Sequence, residues 1–426
     1  MPLSLSSTKA RRISSASPKS EAVRRWLTLL VLLLTGCAAA ASDNSPAPPS
    51  AWGPVVTLAQ AAQMDAPALW LDGATVRAAW TGHDDHPHAL MWTGIPAESP
   101  DPSPTAERLT LPVTFPHDWA ALPAASQHTH LLWLDADPAD ASGTRRLWLA
   151  VVTPDLLVER GPLALSDGAV GHYTASAAAD QSVWVVWSSG PLAEPDLHAR
   201  SIDRAGRPRL PQRIVQGGDW PALVRVDDAP VLLYQRLPDR RLTVAHLSED
   251  GLSDARAVAP WPRLETGDRL AAFSAGADRT HLVALWVIAR ASGTVETWWS
   301  SAPLNAESWP DPAPLTVAVQ PGTSFETGFN GGAANIASDG GESVRWSSPL
   351  PAVYDRLLIA AEVGDALGVL YLEGGAVRAF QPVIDLPAPG LIGAPAIRAD
   401  RDRHLTLAWS QPDATDRASL NLTTTR

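Results

Sequence analysis

From residue 65 to the C-terminus one pattern recurs: an apolar strand, a turn, and a second apolar strand that usually ends on a large aromatic ring. The second strands run Val76 to Trp80, His130 to Trp133, Val183 to Trp187, Val231 to Tyr234, His281 to Trp286, Leu367 to Tyr371 and His404 to Trp409. Their aromatics lie 53, 54, 47, 52, 85 and 38 residues apart. The segments are short and rich in β-branched and aromatic residues, with turn residues between them, which is strand chemistry. A fixed period of this size marks a repeat architecture, in which one unit buries its apolar face only against the next. A ring at one fixed place in every unit is what packing between units requires.

Six units supply two further strands each. The third strands include His88 to Thr93, Leu147 to Val152, Leu197 to Ile202, Leu242 to Leu247, Val295 to Ser300 and Val377 to Phe380. The fourth include Arg108 to Val113, Leu163 to Leu165, Gln212 to Val215, Ala255 to Val258, Pro314 to Val317 and Val383 to Leu386. Four antiparallel strands repeated seven times define an all-β chain with the architecture of a seven-bladed β-propeller over residues 54–426. The last unit stops at its third strand, and Pro54 to Leu58 looks like a fourth strand standing before the first unit. That strand is expected to complete the last blade, because an open sheet would leave edges free to pair with other chains. The long fifth period holds an insertion at about 320–352, rich in glycine. It is read as a loop beside the propeller mouth, and a degenerate eighth blade hidden in it is the alternative.

The N-terminus is a different kind of sequence. Lys9, Arg11, Arg12, Lys19, Arg24 and Arg25 stand against the single acid Glu21, and the apolar run Trp26 to Leu34 follows. That run is about half of what a bilayer span needs, and a basic region before a short apolar core is a secretory signal. Leu34-Thr35-Gly36-Cys37 resembles the lipobox of bacterial lipoproteins. The resemblance implies a leader of residues 1–36, cleavage before Cys37 and acylation of its thiol. Two or three acyl chains make a stable anchor where one does not. Residues 37–53 contain Ser45-Pro46-Ala47-Pro48-Pro49-Ser50 and read as an extended tether. The expected location is extracytoplasmic, tied to a membrane. An uncleaved anchor extended through Ala38 to Ala41 and a plain cleaved signal are the competing readings. Cys37 is the only cysteine, so no disulfide supports the fold.

Removing the leader takes away six basic residues and one acid, which moves the formal charge from −12 to −17. Such a surface disfavours nucleic acid and anionic lipid as partners. The seven segments before the first strand of each unit then align. They begin at Asp65, Asp118, His172, Asp219, Asp268, Asp355 and Gly393, with Trp119 and Trp220 beside two of the acids. The first strand of each unit lines the central channel, so these residues are expected at one mouth, as a rim for a ligand. Several hard oxygens suit Ca²⁺, the one ion the rim would hold. The Asp-Trp pairs suit sugar hydroxyls and rings. The bland alternative is that each Asp binds main-chain N–H groups of its own turn. On the same face His83, Asp85 and His86 are a candidate divalent-metal group, although their spacing fits no helical metal motif. Asp135, Asp137 and Asp140 read as an acidic, solvated loop tip.

The strand ending in Trp followed by Thr81, Ser188 or Ser410 resembles the sialidase-like, BNR-repeat propellers of exported bacterial proteins. The likeness is architectural. Ser201-Ile202-Asp203-Arg204-Ala205-Gly206 and Ser248-Glu249-Asp250-Gly251 are partial echoes of that family's Asp box, and no intact box occurs. The family's arginine triad and nucleophile pair find no matching positions, and Asp268-Arg269 and Asp355-Arg356 supply only candidate arginines. The expectation is therefore a non-enzymatic propeller that binds a glycan or protein ligand at its funnel. The alternatives are a glycan-acting hydrolase or lyase and a scaffold of an envelope complex. The anchor itself is testable by replacing the thiol: C37S protein is expected in soluble, folded form, and a membrane-bound C37S protein would favour the uncleaved anchor.

Overall fold

The computed structural model describes residues 52–425, apart from 73–74, 84–88, 97–106, 110, 115, 137–142, 156, 192, 318–341, 349–351, 354–355, 388–389, 401–403, 414 and 416. Cys37 and the leader thus lie outside the described residues. Seven antiparallel sheets follow one another along the chain as the blades of a β-propeller. Among the described residues the one helical element is the 3₁₀ turn Ala125–Gln127, and no helix is long and apolar enough to cross a membrane. Blade 4 shows the plan. Its inner strand Gly218–Val226 pairs with Ala229–Arg236, then Arg241–Ser248, then Gly251–Pro260 at the rim. The middle of the second strand, Val231 to Gln235, is buried, and the outer strand exposes Ser253 to Ala255.

The ring closes as the repeat required. Val56–Ala61 lies antiparallel on Ala418–Thr424, with Val56 opposite Leu422 and Ala61 opposite Ala418. Thr57 Oγ1 donates to Asn421 Oδ1 at 2.8 Å across the seam. The aromatics that end the second strands, Trp80, Trp133, Trp187, Tyr234, Trp286 and Trp409, are all buried between blades. Truncating one of them to alanine is worth about 3–5 kcal/mol.

Blade 6 departs from the expected assignment. Leu357 to Ile359 belongs to Arg356–Val363, which is the second strand of its blade and not the inner one. The inner edge is formed by Glu342–Ser347 and Ala352–Val353, both paired with Arg356–Val363. Ala366–Glu373 becomes the third strand, and the single long strand Ala376–Asp385 the fourth. The cause of the misreading is local. Ala361 stands opposite Ser347, where blades 3 and 5 carry Trp187 opposite Tyr173 and Trp286 opposite Phe273. Tyr371, on the next strand, supplies the apolar run ending in an aromatic that the pattern sought. Part of the insertion is therefore an inner strand; residues 318–341 lie outside the described part.

One buried group makes stability depend on pH. His130 lies in the second strand of blade 2, Thr129–Ala136, and is fully buried. Burial lowers its pKa to about 4, outweighing the attraction of Asp203 and a hydrogen bond to the main chain of Pro123. The unfolded chain protonates near 6.5, so this destabilisation is absent above that pH and grows as pH falls towards 4. The loss is about 2 kcal/mol between pH 7 and 5. H130L protein, measured by thermal melts, should lose that much less over the same interval; equal pH slopes would refute the assignment.

A strained polar and aromatic site at one mouth

The inner strands share a defect at one height. Register shifts fall between His117 and Ala120 in blade 2, Val170 and Tyr173 in blade 3, Asp219 and Ala222 in blade 4, Leu270 and Ala272 in blade 5, and Val344 and Ser347 in blade 6. A bulge of this kind leaves a residue out of the ladder and re-aims its side chain. All lie at the mouth where second strands end. In blades 2 and 4 the bulge forces a bulky residue into the left-handed region, with φ of 51° at both Asp118 and Trp220. Such a conformation costs on the order of 1–3 kcal/mol and persists only where its surroundings hold it.

The surroundings are side chains of blades 2, 3 and 4. His172 Nδ1 lies 2.9 Å from Asp219 Oδ1. Because a carboxylate only accepts, Nδ1 carries the proton, and in the neutral ring Nε2 is the basic nitrogen. The imidazole stacks on Trp220, with ring centroids 3.4 Å apart. Asp219 Oδ1 also accepts from the main-chain N–H of Trp220 at 2.7 Å. Burial pushes the Asp219 carboxyl up, but hydrogen bonds from His172, Ser188 and Trp220 together hold it below the usual carboxylate range. On the other side, the Tyr173 hydroxyl donates to the Asp118 carbonyl and, at 3.3 Å, to the Leu132 carbonyl. Burial, then the charge of Asp118, raises that phenol well above its ordinary pKa. Trp119 stacks on Trp133 at 5.4 Å. Beside Asp118, Arg145 donates to His117 Nε2 at 3.0 Å.

The residues proposed from sequence therefore separate. His172, Asp219 and Trp220 form one connected group, and Asp118 joins it through its carbonyl. Its carboxylate is largely exposed, 4.0 Å from His117 Nε2. Asp65 accepts from Thr81 Oγ1 at 2.5 Å within its own blade. Asp268 takes up main-chain N–H groups of Glu265 and Ala291 and the Arg290 guanidinium at 2.7 Å, so it fastens its turn. Asp355 lies outside the described residues, and the strand after it is a second strand, so it does not head an inner one. Asp85 and His86 also lie outside, with only the backbone of His83 inside, at the end of Thr75–His83. Asp135 is not a solvated tip: it is buried and accepts from Thr114 N at 2.8 Å. Among the described residues no three His, Cys, Asp or Glu side chains are grouped to hold a metal ion. Sequence reasoning missed Tyr173, His117 and Arg145. Tyr173 stands in the aligned segment at the place of Trp119, but the sequence carries no sign that its hydroxyl reaches the next blade.

No family model matches this sequence, and no curated protein does. The fold has solved relatives. The chain is similar to polysaccharide lyase Uly1, with a TM-score of 0.53 and 11% identity over 91% of this chain and 94% of that one. An α-L-arabinanase of Penicillium chrysogenum in complex with arabinobiose gives 0.44 and 10% over 87% and 98%. An α-L-arabinofuranosidase of Fusarium graminearum gives 0.45 and 10% over 85% and 93%. At these identities the likeness is one of fold, and the lyase carries it. The likeness to the lyase corrects the expectation of a non-enzymatic binding funnel in favour of its glycan-acting alternative. The Asp219 network predicts its own test. An acid whose folded pKa is depressed stabilises above its unfolded pKa, near 3.9, and that contribution is lost as pH falls through the folded value. D219N protein should be less stable by about 1–3 kcal/mol at pH 7, with the deficit in urea unfolding shrinking below pH 4. A deficit independent of pH would contradict the network.

Proposed function

We propose that this chain is a glycan-acting enzyme of the lyase type, with His172 as its acid–base group. The observation that carries the reading is the His172–Asp219 pair, 2.9 Å apart at the bulged mouth. A carboxylate on Nδ1 fixes the tautomer and makes Nε2 the basic nitrogen. Trp119 and Trp220 each have one face covered by a ring, Trp133 and His172 respectively. Both rings also pack against inter-blade cores and stay only part-buried, so their remaining exposed surface at the mouth is the part offered to a sugar ring. Hydrolysis would call for two carboxylates flanking the scissile bond. Asp65, Asp219 and Asp268 are each bound to protein groups, which leaves Asp118 as the one exposed carboxylate among the described rim residues. One such acid beside a tautomer-fixed imidazole favours proton abstraction. In that reaction Nε2 takes the proton from the carbon next to a uronate carboxylate. The electron pair left behind forms a carbon–carbon double bond as the glycosidic C–O bond breaks, and the leaving oxygen takes a proton back from the imidazolium to depart as a hydroxyl. Similarity in fold to a polysaccharide lyase supports the same choice.

The proposal extends to location. The leader and Cys37 support an extracytoplasmic lipoprotein. Trp52 and Gly53 pair with Thr425 and Thr424, at the end of the closing strand away from Ala61. The described chain thus begins at the mouth opposite the bulges.

The test is cleavage of a panel of uronate-containing and neutral polysaccharides by full-length protein in detergent. New reducing ends and the ultraviolet absorbance of an unsaturated product are followed separately. A uronate polymer should yield both, and H172A should lower the rate at least about 100-fold. Reducing ends without unsaturation would replace the lyase with a hydrolase, and no cleavage of any polymer would defeat the reading.

A further inference from the structure

The strained residues have a pattern. Among the described non-glycine residues with positive φ, only Asp118 and Trp220 lie in inner strands, and they lie in the two blades that flank blade 3. Both are held by neighbouring residues of blade 3. Successive side chains of a strand point to opposite sides, and His172 reaches blade 4 while Tyr173 reaches blade 2. His172 binds the carboxylate that accepts from Trp220 N, and its ring stacks on the Trp220 indole. Tyr173 places one hydroxyl between the carbonyls of Asp118 and Leu132, on the inner and second strands of blade 2. The bulge takes Asp118 out of register with the second strand, and the phenol gives its carbonyl a partner there.

We infer that Tyr173 is a positioning residue, which with His172 clasps the strained bulges of blades 2 and 4 and so sets the stance of Trp119 and Trp220. The phenol proton is committed to main-chain carbonyls, so Tyr173 acts through the bulge and not as an acid towards substrate. The word positioning rests on the reading of this mouth as a reaction site; the clasp itself does not.

The test uses full-length protein labelled with 5-fluorotryptophan and observed by fluorine NMR, with resonances assigned from W119F and W220F. Y173F is expected to move the Trp119 resonance and leave that of Trp220 in place. H172N is expected to do the reverse. Y371F is the control, because Tyr371 OH also makes a buried hydrogen bond, to Gln381 Oε1 at 2.8 Å, but in blade 6; it should move neither. A Trp119 resonance unmoved in Y173F, or moved equally in Y371F, overturns the clasp. If Y173F does not fold, H172N decides: movement of both indoles or of neither overturns it. On any glycan that the wild type cleaves, Y173F should lower kcat/KM about tenfold through misplacement, with the pH profile unchanged because no titrating group is lost. A changed pH profile would make Tyr173 an acid–base group and overturn the positioning role. Failure of the wild type to cleave any glycan defeats the enzymatic reading and leaves the resonance shifts as the measure of the clasp.

Discussion

Everything in this molecule depends on pairing Val56–Ala61 with Ala418–Thr424. Without it the last blade would keep only three strands. With it the last blade is completed, and Ala61 packs with Trp80, Leu420 and Leu422 where the last blade meets the first, so each blade has two neighbours. No cysteine lies within the propeller, so this closure and the apolar packing between blades must hold the ring. That is why the second strands are almost wholly buried and why their rings recur.

The same closure creates the site. Inner strands brought round a common axis converge at one mouth, where the chain must turn from ladder to loop. The bulges occur at that height. A regular strand would point His172 and Tyr173 across the sheet and give each a place in the ladder. The bulge takes His172 out of the ladder while Tyr173 stays opposite Trp187; the two side chains reach blades 4 and 2, where Trp220 and Asp118 are left-handed.

Much of the architecture was legible because the period depends on side chains that must be buried. The aromatic at the end of each second strand cannot be exchanged for a polar group without leaving an inter-blade void, so Trp80 and Trp409 mark their blades as clearly as Trp187. Blade 6 was misread because Ala361 lacks that ring while Tyr371 imitates it one strand later. The site was half legible. Alignment of segments brought out Asp118 and His172, which share one position in the repeat, and Asp219, which stands one place earlier, where blade 2 has His117. It could not tell Asp219, which meets an imidazole from the next blade, from Asp268, which meets its own turn. That difference depends on which neighbour lies across the channel mouth, and a single strand carries no record of it. The bulges were hidden for the same reason: register is a relation between two strands.

The arrangement also explains why a ring of like units has its site on one arc. At the bulge height, blades 2, 3 and 4 present Asp118, His172 and Asp219, and each is engaged by a neighbouring blade. The corresponding places further round close on themselves. In blade 5 Asp268 is held by Arg290 and two main-chain N–H groups. In blade 6 Arg345 lies with its Nε 3.2 Å from Glu362 Oε1, a fully buried carboxylate in the same blade. Burial raises the pKa of Glu362, against the pull of Arg345, and Gly390 is pressed so closely on it that a Cβ there would lie 2.0 Å from its Oε1. The carboxylate is enclosed while the guanidinium is partly exposed, so the contact serves the packing of blade 6. Polar groups that bind within their own blade stabilise that blade alone. Polar groups that bind across blades are exposed to one another at the channel mouth, and there an imidazole with a fixed tautomer can meet a ligand.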